Sequence, residues 1–389
     1  MYFQILEVRS LYHHCQVSMK GIVHQENYLP KYHKMQGHEV EIVASLFTFD
    51  ENGKGKWLPK ADKYINEYGI PVTRLGFADR PMAQRFRWYD GLKTELERIA
   101  PELIFIHGVQ FMDIATVADY CKKHPQVKVF ADNHSDFSNS ATNWISKNIL
   151  HKIVWRSCAR KINPYVTKFY GVLPARVKFL ADIYDLPKEK IELLVMGADD
   201  EGVAAASEPE VRQRIRQQYG LADEDIVIMT GGKIDSNKQQ VLMLMESVNA
   251  LEEANIKLVV FGSVVPELKS AFDAQLSDKV KFVGWKKSNE IYAEFAAADI
   301  IAFPGLHSVL WEQAVAMGKP CIFRKINGFT HIDIGGNCTF FTEDTVEEYA
   351  SVIRETLANL VSLQQVANTK GVEVFLYSKI AERSISGGN

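Results

Sequence analysis

The chain is poor in most features that narrow a function quickly. Its 389 residues hold five cysteines, Cys15, Cys121, Cys158, Cys321 and Cys338, with no C-x-x-C pair and no metal-ligand spacing. That excludes a disulfide framework and a zinc module, and leaves reduced core thiols of a cytoplasmic protein as the expectation. No apolar run approaches the roughly 18 residues that cross a bilayer. The start, Met1 to Val8, reads as a first strand without the basic-then-apolar layout of a signal peptide. Charge of one sign is missing too: 45 Lys and Arg against 48 Asp and Glu give −3, no general pull towards nucleic acid. Repeats at solenoid periods and low-complexity tracts are absent. What remains is an ordinary soluble composition, 47% hydrophobic and 24% charged. The chain is long enough for two cores.

Strand-like runs alternate with helical patterns: Ile5 to Val8, Glu39 to Ala44, Leu103 to His107, Val127 to Ala131 and Ile191 to Val195, with helices such as Ile22 to Gln36 and Gln84 to Ala100 between them. This alternation predicts parallel sheets covered on both faces. Gly197 to Pro209 is small, polar and acidic and reads as a linker. A second series follows, at Ile226 to Thr230, Ile256 to Phe261, Val280 to Val283, Ile300 to Phe303 and Pro320 to Phe323. Two doubly wound α/β domains are the reading, with a short amphipathic helix, Phe375 to Arg383, near the end and a frayed tail from Ser384.

Three turns in the second series favour phosphate. They are Gly231-Gly232-Lys233 with Lys238, Gly262-Ser263, and Pro304-Gly305-Leu306-His307-Ser308 followed by a helix carrying Glu312. Ligands of such sheets sit beyond the carboxyl ends of the strands. Lysines and a helix start gathered there suit a multiply charged phosphate. By spacing alone, Lys233 and Lys238 fit either a leaving diphosphate or a solvated turn. Glu312 fits either a ribose hydroxyl or a plain surface carboxylate. His134, in Asp132-Asn133-His134-Ser135-Asp136 after a first-half strand, fits either a sugar hydroxyl or a satisfied structural position. One histidine and two aspartates in one turn argue weakly for metal. Consecutive residues such as His13-His14-Cys15 seldom converge on one ion, so loop packing or substrate contact is expected there.

With these residues in place, the chain resembles a retaining glycosyltransferase of the large family 4, glycosyl transferases group 1, with the GT-B fold of two Rossmann-like domains facing a cleft. Gly232-Lys233-x-x-x-x-Lys238 is similar to that family's G-[RK]-x4-K signature. Val283-Gly284-Trp285, then Ile291-Tyr292 to Ala298-Asp299, resembles its passage of glycine turn, helix and A-D. Glu312-Gln313-Ala314-x-Ala316-x-Gly318-x-Pro320 resembles E-A-x-A-x-G-x-P. More loosely, Gly21 to Val40 is similar to the family's glycine loop and first helix, His134 falls near the donor sugar, and Met196-Gly197-Ala198-Asp199 resembles the N-G-x-D closing the first domain. The family usually shows a second glutamate eight positions before Glu312; here Pro304 stands there, the loop to Trp311 is shortened, and His307 or Ser308 is its neighbour.

The resemblance implies an acceptor-side domain over 1–196, joined by a crossing-back helix in 372–389, and a donor domain over 197–371. It implies His134, Lys233 and Lys238 as catalytic residues. Gly21, Gly232, Gly284, Trp285, His307, Ser308, Val309, Leu310 and Glu312 would bind the donor, a UDP- or GDP-linked sugar. Glu312 would hold the ribose and the Gly284 turn would lie against the base. No metal and no separate cofactor are implied. The one D-x-D, Asp223-Glu224-Asp225, precedes a strand at its far end and reads as a surface turn. Residues 137–181 contain no Asp or Glu but eight Lys or Arg, Lys147, Lys152, Arg156, Arg160, Lys161, Lys168, Arg176 and Lys178, interleaved with Trp144, Trp155, Tyr165, Phe169 and Tyr170. Such a stretch suits an anionic membrane surface, the inner face of the membrane for a cytoplasmic protein, and an acceptor glycan carried on lipid; the alternative is an ordinary basic face. Two other readings stay open: a sugar-nucleotide epimerase or hydrolase, and a non-catalytic binding protein on the same fold.

Overall fold

The computed structural model describes residues 4–9, 24–49 and 55–387. His13, His14, Cys15 and Gly21 lie outside the described residues. The chain divides into two compact units, Met1–Met196 with Tyr377–Asn389, and Gly197–Leu376.

The strands of the first unit are β1 (Gln4–Arg9), β2 (Glu39–Ala44), β3 (Phe47–Phe49), β4 (Gly55–Trp57), β5 (Asp62–Ile65), β6 (Pro71–Arg74), β7 (Leu103–His107), β8 (Lys128–Asn133), β9 (Val166–Gly171) and β10 (Ile191–Leu193). Eight of them form one sheet in the order β10-β9-β8-β7-β1-β2-β6-β5, parallel except where β5 turns back against β6. All five residues of β7 are buried, as a strand covered on both faces requires. The helical run expected over 84–100 is two helices, Ala83–Phe86 and Leu92–Ile99, because the Phe77–Tyr89 bridge interrupts it.

The second unit holds β11 (Ile226–Ile234), β12 (Ile256–Val264), β13 (Val280–Phe282), β14 (Ile300–Phe303), β15 (Cys321–Arg324) and β16 (Cys338–Phe341). Their order is β13-β12-β11-β14-β15-β16, all parallel. From β11 the chain winds outward to β13, then crosses to the other side for β14 to β16. The direction therefore reverses between β11 and β14, which opens a crevice beyond their carboxyl ends.

Three expectations about segment roles need correction. Residues 197–209 are not a linker: Asp200–Ala206 is a helix inside the second unit, with Val203 and Ala206 buried. Gly202 lies so close to Tyr292 that a Cβ there would meet the ring at 2.7 Å. The return to the first unit begins at Tyr377, not 372. The Ala198 amide donates to Phe375 O at 2.8 Å, and a Cβ on Gly371 would lie 2.2 Å from Val315 O, so this stretch packs on the second unit. Finally, Ser384 is not frayed. The last helix runs Tyr377–Ser386, Ser384 is fully buried, and its Oγ hydrogen-bonds His33 Nε2 at 2.9 Å.

Candidate functional site

The first two of the three turns, Gly231-Gly232-Lys233 and Gly262-Ser263, are not turns but parts of β11 and β12. The β11–β12 ladder continues through Gly232–Gly262 to Ile234–Val264, and both glycines take positive φ, 110° and 118°. The strands come so close there that a Cβ on Gly262 would lie 1.9 Å from Gly232 O. The ladder carries Gly232 to the crevice. A Cβ on Gly232 would lie 3.6 Å from both Lys238 Nζ and Leu310 Cδ1, and one on Gly305 would lie 3.0 Å from Lys238 Cγ. Small residues at 232 and 305 thus let the Lys238 stem pass between the ends of β11 and β14. Lys233 behaves differently: its side chain is 61% exposed and its Nζ is 3.6 Å from Asp235.

After β14, the helix Leu310–Ala316 begins with Trp311 N donating to Ser308 O at 3.0 Å. The amides of Ser308, Val309 and Leu310 therefore precede its ladder. Glu312 is completely buried, and its Oε1 receives His307 Nε2 and His331 Nε2, each at 2.8 Å. Burial alone would push this carboxyl up, but the two imidazoles hold it well below the usual carboxylate range. Its other oxygen, Oε2, has no hydrogen-bond partner, and neither do the buried Ser308 Oγ, Trp311 Nε1 and His331 Nδ1. Buried polar atoms in that state mark a place where a polar ligand or water completes the bonding. His307 turns inward, packing on Trp311 and Phe329 with ring centroids 5.2 Å away.

The Gly284 turn is tied to the same end of the sheet, since Gly262 N donates to Gly284 O at 2.8 Å. Beside it, Lys286 Nζ lies 3.0 Å from Glu294, and Tyr219 donates to both oxygens of that carboxylate. Burial and the Glu294 charge push the Tyr219 hydroxyl up to about 12. Trp285 is exposed on this anchored turn, its ring available for stacking.

In the first unit, β7 and β8 pair His107 with Asp132. His107 Nδ1 is 2.8 Å from Asp132 Oδ2, and Gly108 N donates to Oδ1 at 3.1 Å. His134 Nε2 stands 3.3 Å from the same Oδ2. Burial would raise the Asp132 carboxyl, but both histidines hold it well below its ordinary value. Asp136 has a different job, pairing with Arg176 at 3.1 Å. Nearby, a cavity of about 480 Å³ is walled by Trp57, Phe86, Arg87, Gln110, His151 and Trp155.

Reading the sequence missed His107 and His331. The signal for His107 was its place at the end of a strand next to β8; nothing local marks His331. His107, Asp132 and His134, and likewise His307, Glu312 and His331, bring potential metal-ligand atoms within 4.8 Å of one another. His107 already bonds Asp132, and His307 and His331 bond Glu312, so an ion at about 2.1 Å from each ligand would have to replace those bonds.

The basic stretch also changes on folding. Arg160, Lys168, Arg176 and Lys178 pair with Asp185, Glu192, Asp136 and Asp182, acids just outside the acid-free window. Trp155, Phe169 and Tyr170 are core residues. Among the described residues, no helix is long and apolar enough to cross a membrane.

Residues 224–359 match the family model of glycosyl transferases group 1. A GDP-mannose-dependent alpha-(1-6)-phosphatidylinositol monomannoside mannosyltransferase of Mycolicibacterium smegmatis is 24% identical over 187 residues, 44% of this chain and 48% of that one. The sequence match thus spans less than half of that relative. Among solved structures, Anabaena HepE in complex with UDP is similar at TM-score 0.67 with 16% identity, over 98% of both chains. A UDP-GlcNAc 2-epimerase from Neisseria meningitidis bound to UDP-GlcNAc is similar at TM-score 0.62 with 10% identity, over 99% of both. Residues 224–359 are thus similar to the glycosyl transferases group 1 family, and the whole chain is built on the GT-B fold of two Rossmann-like units.

Proposed function

We propose that the protein is a retaining, metal-independent glycosyltransferase that moves a sugar from a nucleoside-diphosphate donor to a hydroxyl acceptor. The observation that carries this is the crevice beyond β11 and β14. There Lys238 passes between Gly232 and Gly305, and the buried Glu312 keeps one oxygen unpartnered. Lys238 sits where a diphosphate needs charge, and Glu312 Oε2 is set to accept a ribose hydroxyl. Trp285 offers a face for the base. In the reaction the anomeric carbon loses its bond to the diphosphate and gains one to the acceptor oxygen on the same face. The acceptor's proton passes to the departing phosphate oxygen. Lys238, supported by Lys233 and the amides near Ser308 to Leu310, neutralises the charge that develops on the leaving group. His134, oriented by Asp132, is assigned to a hydroxyl of the transferred sugar.

We assign uracil or guanine as the donor base; the HepE structure in complex with UDP and the GDP-mannose-dependent relative support this reading. For the acceptor we assign a glycan or lipid-linked glycan of cell-surface polysaccharide or lipopolysaccharide assembly, with the first-unit cavity of aromatic, amide and guanidinium walls as its site. A thermal-shift panel of nucleoside diphosphates, followed by transfer assays with the matching sugar donors, tests the proposal. A shift from one diphosphate and product retaining the donor's anomeric configuration support it. No shift from any diphosphate sinks it.

The likeness to the UDP-GlcNAc 2-epimerase favours a second reading, epimerisation of the sugar nucleotide itself. That chemistry needs an acid/base pair at the sugar. Rapid epimer formation from donor without acceptor would decide for it.

A further inference from the structure

The helix Ser146–Trp155 has two unlike sides. Ser146, Leu150, His151 and Trp155 face the first-unit cavity, and His151 is anchored by Ser140 and Tyr184. It is a wide helix of π type: Arg156 N reaches back to His151 O. Such geometry is rare and frequently found at functional sites. The other side is apolar and open. Trp144 is 69% exposed, Ile145 60%, Ile149 42% and Ile153 62%. The isoleucines recur every fourth residue, which aligns them in one stripe, and Trp144 adjoins its amino end. A soluble surface seldom presents four large apolar side chains together without a partner.

The charges around the stripe identify the partner. Half of the eight basic residues in 137–181 are neutralised by Asp136, Asp182, Asp185 and Glu192. Lys147, Lys152 and Lys161 have no carboxylate partner among the described residues, and Lys147 instead lies 4.9 Å from the Phe137 ring centroid. Lys147 and Lys152 belong to the same helix as the stripe. A protein groove would pair such lysines with specific acids. A bilayer offers a fluid anionic surface to the lysines and acyl chains to the isoleucines, while an indole settles at the headgroup level.

We propose that this helix is a membrane-docking element, lying in the plane of an anionic bilayer with Trp144, Ile145, Ile149 and Ile153 inserted to the headgroup–acyl boundary. Lys147, Lys152 and Lys161 face the lipid phosphates. Its inner side walls the cavity assigned to the acceptor, so docking brings that cavity to the surface where a lipid-carried glycan resides. The docking claim itself does not depend on sugar transfer and is read without it.

The test is co-flotation of the full-length protein with vesicles of phosphatidylcholine alone or mixed with phosphatidylglycerol. The expected result is binding to the mixed vesicles, weakened by salt, and none to the neutral ones. A variant with Ile145→Ser, Ile149→Ser and Ile153→Ser, and another with Lys147→Gln, Lys152→Gln and Lys161→Gln, should each partition at least tenfold more weakly. These positions are exposed or half-buried, and melting curves of the unbound proteins should match the wild type. Wild-type protein that stays out of the lipid fraction, or variants that float as well as it does, would overturn the proposal. So would sedimentation showing a dimer that the isoleucine variant dissolves, because the stripe would then be a contact between copies of the chain. Intact flotation in a protein that transfers no sugar would sink the proposed reaction and leave the docking surface standing.

Discussion

His331 Nε2 lies 2.8 Å from Glu312 Oε1, although the two stand 19 positions apart with the whole of β15 between them. With His307 on the same oxygen, the bond turns Glu312 so that Oε2 alone remains to be completed. Glu312→Gln should therefore weaken nucleoside-diphosphate binding by tenfold or more, in line with about 1.5–3 kcal/mol for a hydrogen bond to a charged group. His331→Gln should raise the KM for donor while changing kcat less, since it only positions the carboxylate. Calorimetric titration with UDP and GDP, alongside steady-state kinetics, reads both. Unchanged affinity in Glu312→Gln would remove Glu312 from the donor site.

The two strands that meet at Gly232 and Gly262 give a sharper structural test. Gly262→Ala must place a methyl carbon 1.9 Å from a backbone oxygen at φ +118°, so the strands must part. The expected loss is about 3 kcal/mol or more of stability, with nucleotide binding lost as the strand ends move. Gly284→Ala is the control: φ is +74° but nothing lies within 4 Å of the new Cβ, so only the conformational cost of about 1 kcal/mol applies. Urea unfolding midpoints should rank them in that order. Equal midpoints would mean that the close approach of the strands is not rigid.

The two lysines of the signature should not be equivalent. Lys238 is held between Gly232 and Gly305, whereas Lys233 reaches into solvent near Asp235. Lys238→Ala should lower kcat by roughly 10²–10³, the scale seen when one preorganised group facing developing charge is removed. Lys233→Ala should cost less than tenfold in the same assay. The reverse ranking would show that Lys233 swings onto the diphosphate when donor binds.

Much of this architecture was legible because it rests on local pattern. Runs such as Leu103 to His107 and Ile300 to Phe303 are short, apolar and β-branched, and the folded strands have those same bounds. Gly232, Lys238 and Leu310 were legible as neighbours because parallel strands deliver their carboxyl ends to one side. What stayed hidden depends on distance in the chain. Nothing near Thr330 announces that His331 will bond Glu312, and Asp182, Asp185 and Glu192 neutralise lysines and an arginine read earlier as one basic face. The acidic stretch after Met196 misled for a related reason. Asp200 and Glu201 open a helix whose first turn favours negative charge, and Val203 and Ala206 are too few to announce a buried face.

His151 makes the stability of the first unit depend on pH. Its Nε2 meets Ser140 Oγ at 2.8 Å and its Nδ1 meets Tyr184 OH at 2.9 Å. Burial, aided by the nearby Arg87 charge, pushes the imidazole down to about 4. The unfolded chain takes up the same proton near its ordinary value of about 6.5. Between those values the unfolded state binds more protons, so stability falls as pH drops through about 6.5 and keeps falling until the folded ring also protonates. The slope from this residue is at most about 1.4 kcal/mol per pH unit. Unfolding of the wild type and of His151→Gln, followed by tryptophan fluorescence from about pH 7 down to about pH 4, should give diverging curves. The variant should start less stable and lose less on acidification. Parallel curves would place the protonation of His151 outside the unfolding equilibrium, and with it the claim that this wall of the cavity is held by a neutral imidazole.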